Sequence, residues 1–544
     1  MKIFSASFSR HDHNTYDGEW HNQRERYTRR KHNIPWHYDA YPLSDTAMKA
    51  NPNDTSAGVK FYEEYWNPKD HEIYAFTTSE GGVIQMPNLK ILENDMNWYP
   101  KKLWDYKMIN NNLYYIDHHQ SHAAYAYLLS GYEQSDILAI DARGYKYNCI
   151  FIDKDENITD LSKEMCIGIL WSFVSRELGF GNLGASKVMG LAAYGRYRED
   201  IHLVLDEYWN DVKDMGSSFV ETYLSDIKQD YVSRKINPSN EVGNQFQRFK
   251  HKFRDLAKQF VLYQNVKQEG WKCDIARTLQ YATEEKIRDY VYPLKTCDNI
   301  CVAGGVAYNG YVNEMLYENW SSVYVPPAPG DEGQSIGTYM HANYTLNKEI
   351  HKPSVYAGKE YNYEGQEKVN LTEVAQAIAD GKIVGWFQGK SESGHRALGN
   401  RSILADPRNP DIKDIINDEI KMREDFRPFA PSVLEEHYKE WFDTPEPSPY
   451  MSRIVKLQDF DYVKRVPGII HIDQTARIQT VNKKQNEKYY NLINEFYKIT
   501  GVPMLLNTSF NCREPIVETP RDAINTFNNT ELDILVINEY CLFK

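Results

Sequence analysis

Cysteine is scarce in this chain, and what there is lies scattered. Seven thiols in 544 residues, at positions 149, 166, 273, 297, 301, 512 and 541, form neither a disulfide framework nor a paired zinc knuckle. Cys297 and Cys301 stand one helical turn apart, but buried free thiols are the expectation for both. Long apolar runs are also missing. No window approaches the ~20 apolar residues that span a bilayer, and the opening stretch "MKIFSASFSRHDHN" has no secretory apolar core. A cytoplasmic location with no membrane partner is therefore expected. Internal repeats and low-complexity tracts are absent. Basic residues are outnumbered, 63 against 76, for a net charge of −13. That excludes a protein that coats nucleic acid with its whole surface.

One local basic patch is present at residues 20 to 37, "WHNQRERYTRRKHNIPWH". Arg24, Arg26, Arg29, Arg30 and Lys31 are interleaved there with Trp20, Tyr27 and Trp36. A solvated loop is one reading. The other is a surface that meets phosphates by charge and bases by stacking.

The length calls for two or more domains. Strand and helix patterns alternate, which predicts mixed α/β architecture. "DILAIDARG" (136–144) reads as a buried strand ending at Asp141, and "YKYNCIFIDKDENIT" as its hairpin partner. "DNICVAGGVAYNGYVNEMLYEN" (298–319) reads as strand, double-glycine turn and helix. In "VPPAPGDEGQSIGTYMHANYTL" (325–346) a proline-rich turn precedes a helix, with Asp331 and Glu332 at its start, where the macrodipole favours negative charge. The polar stretch 347–370 is the candidate boundary, followed by the helix and strand of "LTEVAQAIADGKIVGWFQG".

The most distinctive stretch is "IDHHQSHAAYAYLLSGY" (116–132). His118 and His122, four apart on a helix, share a face and can chelate one ion, while His119 points elsewhere. Oxygen ligands must come from remote sequence, and Asp141 and Asp331 both fall at loop edges suited to that. Two imidazoles with carboxylates suit iron, zinc or manganese, and the spacing does not choose among them. Capping and surface histidines are the alternative. A metalloprotease is disfavoured because position 119 is His where "H-E-x-x-H" needs glutamate.

"GWFQGKS" (385–391) imitates a phosphate loop but has three residues between its glycines where the Walker motif has four. The turn at Gly304 and Gly305, with Asn309 beyond it, is better placed to bring backbone N–H groups to a nucleotide. The strongest anion signal lies late in the chain: Arg396, Arg401, Arg408, Lys421, Arg423 and Arg427, with Arg477 added by "TARIQT". Clustered guanidiniums hold phosphates or carboxylates bidentately, and "LLNTSFN" (505–511) offers amide and hydroxyl groups to the same pocket.

These blocks, together with "DHHQSHAAYA", "KVMGLAAYG" (187–195), "PPAPGDEGQSIG" (326–337), "GWFQGKSESGHRALGNRSILADPRNP" (385–410), "IKMREDFRPFAPSV" (420–433) and "LLNTSFNCREPIV" (505–517), resemble the O-carbamoyltransferases of the NodU, CmcH and TobZ type across nearly the full length. The resemblance implies a duplicated actin and sugar-kinase-like domain over 1–355, similar to threonylcarbamoyltransferases. It implies a YrdC-like α/β domain over 356–544. The implied reaction runs in two steps: ATP, with Mg2+, and carbamoyl phosphate give carbamoyl adenylate in the C-terminal domain, and an acceptor hydroxyl takes the carbamoyl group at a metal site in the other.

By the same resemblance, His118, His122, Asp141 and Asp331 are the ligands of a divalent ion, Fe2+ ahead of Zn2+ or Mn2+. Arg396, Lys421, Arg427 and Arg477 form the carbamoyl phosphate pocket, with Lys421 and Arg427 catalytic and Asn507 and Ser509 near the adenylate. Gly304, Gly305, Asn309 and Lys187 line a nucleotide site. His11, in "SRHDHN", is the acceptor's general base, with His13 as its rival, and a neutral imidazole suits that role near pH 7.

The chain departs from the family pattern after His11, where "NTYDGEWHNQRERYTRRKH" intervenes, and at "GASKVMG", which lacks the usual acidic and tyrosine residues before Lys187. The basic, aromatic insertion points to a phosphate-bearing acceptor, a hydroxymethylated pyrimidine nucleotide or that base in DNA. The abundance of Tyr, Asn and Lys is in keeping with a virus-like or AT-rich coding source, and a virus-encoded protein would work in the host cytoplasm. A sugar or secondary-metabolite hydroxyl is the alternative acceptor. A sugar-kinase-like phosphotransferase is the alternative reaction, and the late arginine cluster argues against it.

Overall fold

In the computed structural model of the chain, the residues described are 1–8, 14–23, 25–26, 71–78, 84–86, 89–91, 98–142, 144, 146–181, 183–215 and 270–544. His11, His13, and Arg24 and residues 27–37 of the basic patch lie outside them. Two sheets repeat one topology. In the first, β1 (Ile3–Phe8) pairs antiparallel with β2 (Asn14–Tyr16), which pairs antiparallel with β3 (His21–Gln23). On its other side β1 runs parallel to β4 (Ile73–Thr78), and β4 parallel to β5 (Leu113–Tyr115). The second sheet builds the same pattern from β6 (Asp136–Ile140), β7 (Cys149–Ile152), β8 (Ile158–Asp160), β9 (Asn299–Ala303) and β10 (Ser322–Tyr324). Each sheet thus has its meander on one side of the first strand and two parallel strands on the other, the duplication that the resemblance implies, and the first sheet adds an antiparallel edge strand, Lys107–Met108, beside β5. All five residues of β6 are buried, as a parallel strand covered on both faces requires. The expected hairpin is β6 with β7.

Helix α1 (His118–Ser130) leaves the end of β5. Helices α2 (Ile167–Glu177), α3 (Ala185–Ala192), α4 (Glu199–Met215) and α5 (Gly270–Tyr290) share a core with the second sheet, built on Leu138, Phe173, Leu279 and Val302. After β9 come the double-glycine turn and α6 (Gly310–Met315), and after β10 the proline-rich turn and α7 (Gln334–Asn347), in the expected order. Helices α1 and α7 are fastened together by Ser121, whose hydroxyl donates to the Gln334 carbonyl at 2.7 Å and meets Thr338 Oγ1 at 3.1 Å.

Residues 348–366, within the candidate boundary, carry no helix or strand. Beyond them lies a ten-stranded mixed sheet with its own core of Trp386, Leu404, Leu505 and Val536. Its helices begin at readable caps. Asn370 and Glu373 box the start of α8 (Leu371–Ala379), and Thr519 and Asp522 with Pro520 box that of α10 (Pro520–Asn528); α9 (Glu487–Thr500) lies between. The false phosphate loop is the turn between two antiparallel strands, Val384–Phe387 and Arg401–Ala405, with no helix after it. Among the described residues no helix is long and apolar enough to cross a membrane.

Candidate functional site

The start of α1 is fixed by its own sequence. Asp117 caps the helix by accepting the His119 N–H at 2.8 Å, and Gln120 accepts the Asp117 N–H at 3.0 Å, a reciprocal box. The Gln120 amide also donates to the carbonyls of Lys102, Leu103 and Asp105, each at 3.0 Å. So anchored, the first turn aims two imidazoles inward. His118 Nε2 and His122 Nε2 are 3.2 Å apart. Asp331 Oδ1 lies 3.2 Å from the former and 3.5 Å from the latter, and Asp141 Oδ2 lies 3.3 Å from His122. All four donor atoms fall within 4.8 Å of one another.

Ligands about 2.0–2.2 Å from an ion stand roughly 3–3.5 Å from each other in tetrahedral or octahedral shells. The two-nitrogen, two-oxygen set therefore fits a divalent cation. Without an ion the same geometry traps a proton. Burial would lower the affinity of His122 for its proton, but the carboxylates of Asp141 and Asp331 outweigh it and hold the imidazole up at about 9. Exposure of His118, His119 and His122 is 0–1 %, so the reading of these as surface histidines fails. His119 does point away from the ion site: its ring meets Tyr147 edge-on at 6.4 Å, and burial pushes it down to about 3.

Gly304, Gly305 and Asn309 serve this site from behind. Gly304 has φ +90°, and a Cβ there would lie 2.1 Å from the Ile140 carbonyl oxygen, so only glycine lets β9 turn so close to β6. The Gly305 N–H donates to Asp141 Oδ2 at 2.8 Å, and the Gly304 N–H to the Pro329 carbonyl at 2.7 Å. Asn309 caps α6 through the Val312 N–H and donates to Gln280 at 2.8 Å. The polar groups expected to meet a nucleotide are thus engaged inside the protein. Lys187 lies on α3, 3.2 Å from Glu424 of the arginine segment.

The late cations converge only in part. Lys421, 2 % exposed, ends a π turn over Ile416–Lys421, and Met422 follows with φ 46°. The Lys421 ammonium donates to Asn511 Oδ1 at 2.7 Å, the Asn511 carbonyl at 3.0 Å, and the carbonyl and hydroxyl of Ser509. Burial, and then repulsion from Arg423 and Arg427, push it well below the usual lysine range. Arg423 donates to Asn417 at 2.8 Å, and Arg427 lies 3.6 Å from Glu424. Among the described residues the Arg477 side chain reaches only the sulfur of Met189, at 3.8 Å, and its guanidinium is pushed down to about 9 by burial and then by Arg396 and Arg427. Arg396 lies over the Tyr308 ring, 5.2 Å from its centroid, and burial followed by Arg427 lowers it too. Four of these cations, Lys421, Arg423, Arg477 and Arg396, are lowered first by burial and then by cationic neighbours, the arrangement that an anion would relieve.

Arg401 and Arg408 do not join them. Arg401, 0 % exposed, stacks at 3.6 Å on Phe387 and donates to three carbonyls of the 388–400 turn. Arg408 is held by Asp406, its Nε 2.9 Å from both carboxylate oxygens. Asn507 is a core brace whose amide donates at 3.0 Å to Ala397, Ser432 and Gln479, and so fixes the residue next to Arg396. Arg26 is likewise engaged, donating to the Gly394 carbonyl at 2.6 Å and lying 3.5 Å from Glu518. Cys301 lies in β9 and Cys297 in the turn before it, so no helix pairs them; both are free thiols.

Two residues went unassigned from sequence. Asn511 grips Lys421, and its signal was its place just past the strand that ends at Ser509. Tyr308 carried no signal, because its partners Glu332 and His395 are remote in the chain.

The two sites adjoin. Asp331, a candidate ion ligand, precedes Glu332, which accepts the Tyr308 hydroxyl, and the Tyr308 ring carries Arg396. Residues 60–340 match the family model "Carbamoyltransferase N-terminus" and residues 375–544 "Carbamoyltransferase C-terminus". Nodulation protein NolO of Bradyrhizobium diazoefficiens is 34 % identical over 461 residues, covering 79 % of each chain. An uncharacterized protein of Synechocystis sp. is 32 % identical over 487 residues, 79 % of this chain and 76 % of its own. The solved structure of full-length HypF in its phosphate- and nucleotide-bound form overlaps at 13 % identity over 63 % of this chain and 46 % of its own, with a TM-score of 0.29, too slight a likeness to argue from. On the family models and these relatives, the chain belongs to the carbamoyltransferase family and is an enzyme of that class.

Proposed function

We propose that the protein makes carbamoyl adenylate in the arginine pocket of its C-terminal domain and transfers the carbamoyl group to an acceptor hydroxyl beside the His118–His122 cluster. The observation that carries this reading is the adjacency of the two sites. A labile mixed anhydride formed between Arg396, Arg423, Arg427, Arg477 and Lys421 would pass the Tyr308–Glu332 seam to meet Asp331.

Balance fixes the steps. Carbamoyl phosphate is hydrolysed to carbamate and phosphate, and the cations offset the charge on the departing phosphate. A carbamate oxygen attacks the α-phosphorus of ATP, forming the C–O–P bridge and releasing pyrophosphate. The acceptor oxygen then attacks the carbonyl carbon. The C–O bond to AMP breaks with its electron pair on the phosphate, and the hydroxyl proton passes to a base, His11 in this reading. A divalent cation, Fe2+ in this reading, held by His118, His122, Asp141 and Asp331 would supply Lewis acidity toward the developing oxyanion.

The acceptor we propose is a hydroxymethylated pyrimidine nucleotide or that base in DNA, on the strength of the basic, aromatic stretch 20–37, in which Trp20 is 52 % exposed. The test is incubation with carbamoyl phosphate, ATP and a hydroxymethylpyrimidine nucleotide, before and after chelation. One added carbamoyl unit, lost on chelation, is expected. An unmodified nucleotide beside a carbamoylated sugar would overturn the acceptor.

A further inference from the structure

Among the described residues the Arg396 guanidinium makes no hydrogen bond and no ion pair. It rests on the face of Tyr308, and its Nε is buried without a partner. A ring face holds a cation while leaving all five N–H donors open, which a carboxylate partner would not. A carboxylate is close by. Glu332 is bound to the same tyrosine, its Oε1 accepting the Tyr308 hydroxyl and, at 3.2 Å, the Gly330 N–H. Room for that folded-back posture comes from position 330, where a Cβ would lie 2.7 Å from Glu332 Oε2. His395 packs on the same tyrosine, ring centroids 4.0 Å apart, and steadies it from the C-terminal domain. Tyr308 thus stands between the buried Glu332 carboxylate and the half-buried Arg396 guanidinium.

We propose that Tyr308 is a positioning residue for the anion pocket: by giving its hydroxyl to Glu332 and its ring face to Arg396, it keeps that carboxylate off the guanidinium and leaves Arg396 open to the phosphate of carbamoyl phosphate. The inference rests on the pocket assignment of the proposed function and adds to it a residue outside the arginine set. A direct Glu332–Arg396 pair would remove one of the cluster's cations and set an internal anion in competition with the substrate.

The test is a double-variant comparison in acceptor-free, carbamoyl phosphate-dependent release of pyrophosphate from ATP. Y308F is expected to raise KM for carbamoyl phosphate about tenfold or more with kcat little changed, and Y308F/E332Q to return KM to within about threefold of wild type, because no carboxylate remains to capture Arg396. Loss of packing alone would not be rescued by removing a second group. A Y308F enzyme with unchanged KM, or a double variant as poor as Y308F, overturns the proposal. Should Y308F alone not fold, E332Q and Y308F/E332Q must share one KM to within about threefold, since the hydroxyl then has no charge to restrain; a larger gap overturns it. Calorimetric titration with inorganic phosphate is expected to give the same ordering without turnover, and equal affinity in wild type and Y308F overturns the proposal. A wild type that binds phosphate but releases no pyrophosphate would refute the proposed reaction and leave this comparison decided on its own.

Discussion

Replacing Arg477 by methionine should stabilise the protein and disable it. The guanidinium is pushed down to about 9 by burial and by Arg396 and Arg427, with Tyr311 pulling the other way. Its affinity for a proton is lower folded than unfolded, so the charged form destabilises the fold at every pH below about 9, neutral pH included. At about 1.4 kcal/mol per tenfold change in proton affinity, the depression corresponds to on the order of 4–5 kcal/mol as an upper bound. Relaxation and water penetration reduce that to roughly 1–3 kcal/mol. A methionine keeps the apolar stem and meets Met189, whose sulfur already lies 3.8 Å from Arg477 Nη2. R477M without ligand should therefore unfold about 2–6 °C higher than wild type. With carbamoyl phosphate the order should reverse. A guanidinium facing phosphate makes charge-assisted bonds worth ~1.5–3 kcal/mol each, so KM should rise about 10² to 10³-fold. Thermal unfolding followed by fluorescence, with and without carbamoyl phosphate, reads both effects. An R477M protein less stable than wild type when empty, or equally stabilised by the ligand, would refute the anion-pocket reasoning.

Three further outcomes follow from other parts of the molecule. Burial pushes Glu314 up to about 7 despite Arg453 at 3.8 Å. The folded state keeps a proton that the unfolded state has given up, so stability falls as pH rises from about 4.5 to about 7. E314Q should gain roughly 1–3 kcal/mol at pH 8 and almost nothing at pH 4.5; an equal loss at both in chemical denaturation contradicts this. H118A or D141N should lower bound divalent metal from about one ion per chain to under a tenth, read by elemental analysis, and full occupancy in either would remove the cluster as the ion site. Changing Arg29, Arg30 and Lys31 to alanine should weaken acceptor binding and flatten its salt dependence by about two to three charges' worth; an unchanged slope ends the proposal for a phosphate-bearing acceptor.

What was legible in the sequence was local. The β6–β7 hairpin showed in the alternation of its second strand, α8 and the strand after it in the pattern of "LTEVAQAIADGKIVGWFQG", and the imidazole pair in the i, i+4 step of His118 and His122. Asp141 and Asp331 could be nominated because each ends a strand or turn where loops gather, but only the fold brings them within 3.3 and 3.2 Å of the histidines. The arginine cluster was over-read for a physical reason. A count of guanidiniums does not distinguish Arg396, poised over a ring, from Arg401, which donates to the carbonyls of its own turn, or Arg408, closed on Asp406 two residues away. The double glycine has a structural duty that its spacing did not reveal. Its backbone freedom serves the approach of β9 to β6 and the support of Asp141. The role of Tyr308 depends on three chain segments meeting, and no window of sequence contains them.

The most direct measurement is incubation of the protein with carbamoyl phosphate and ATP in the absence of any acceptor. Pyrophosphate and carbamoyl adenylate in equal amounts, both abolished when Lys421 is changed to methionine, are the predicted result. Release of ADP in place of pyrophosphate, or no ATP cleavage until an acceptor is added, would contradict the account.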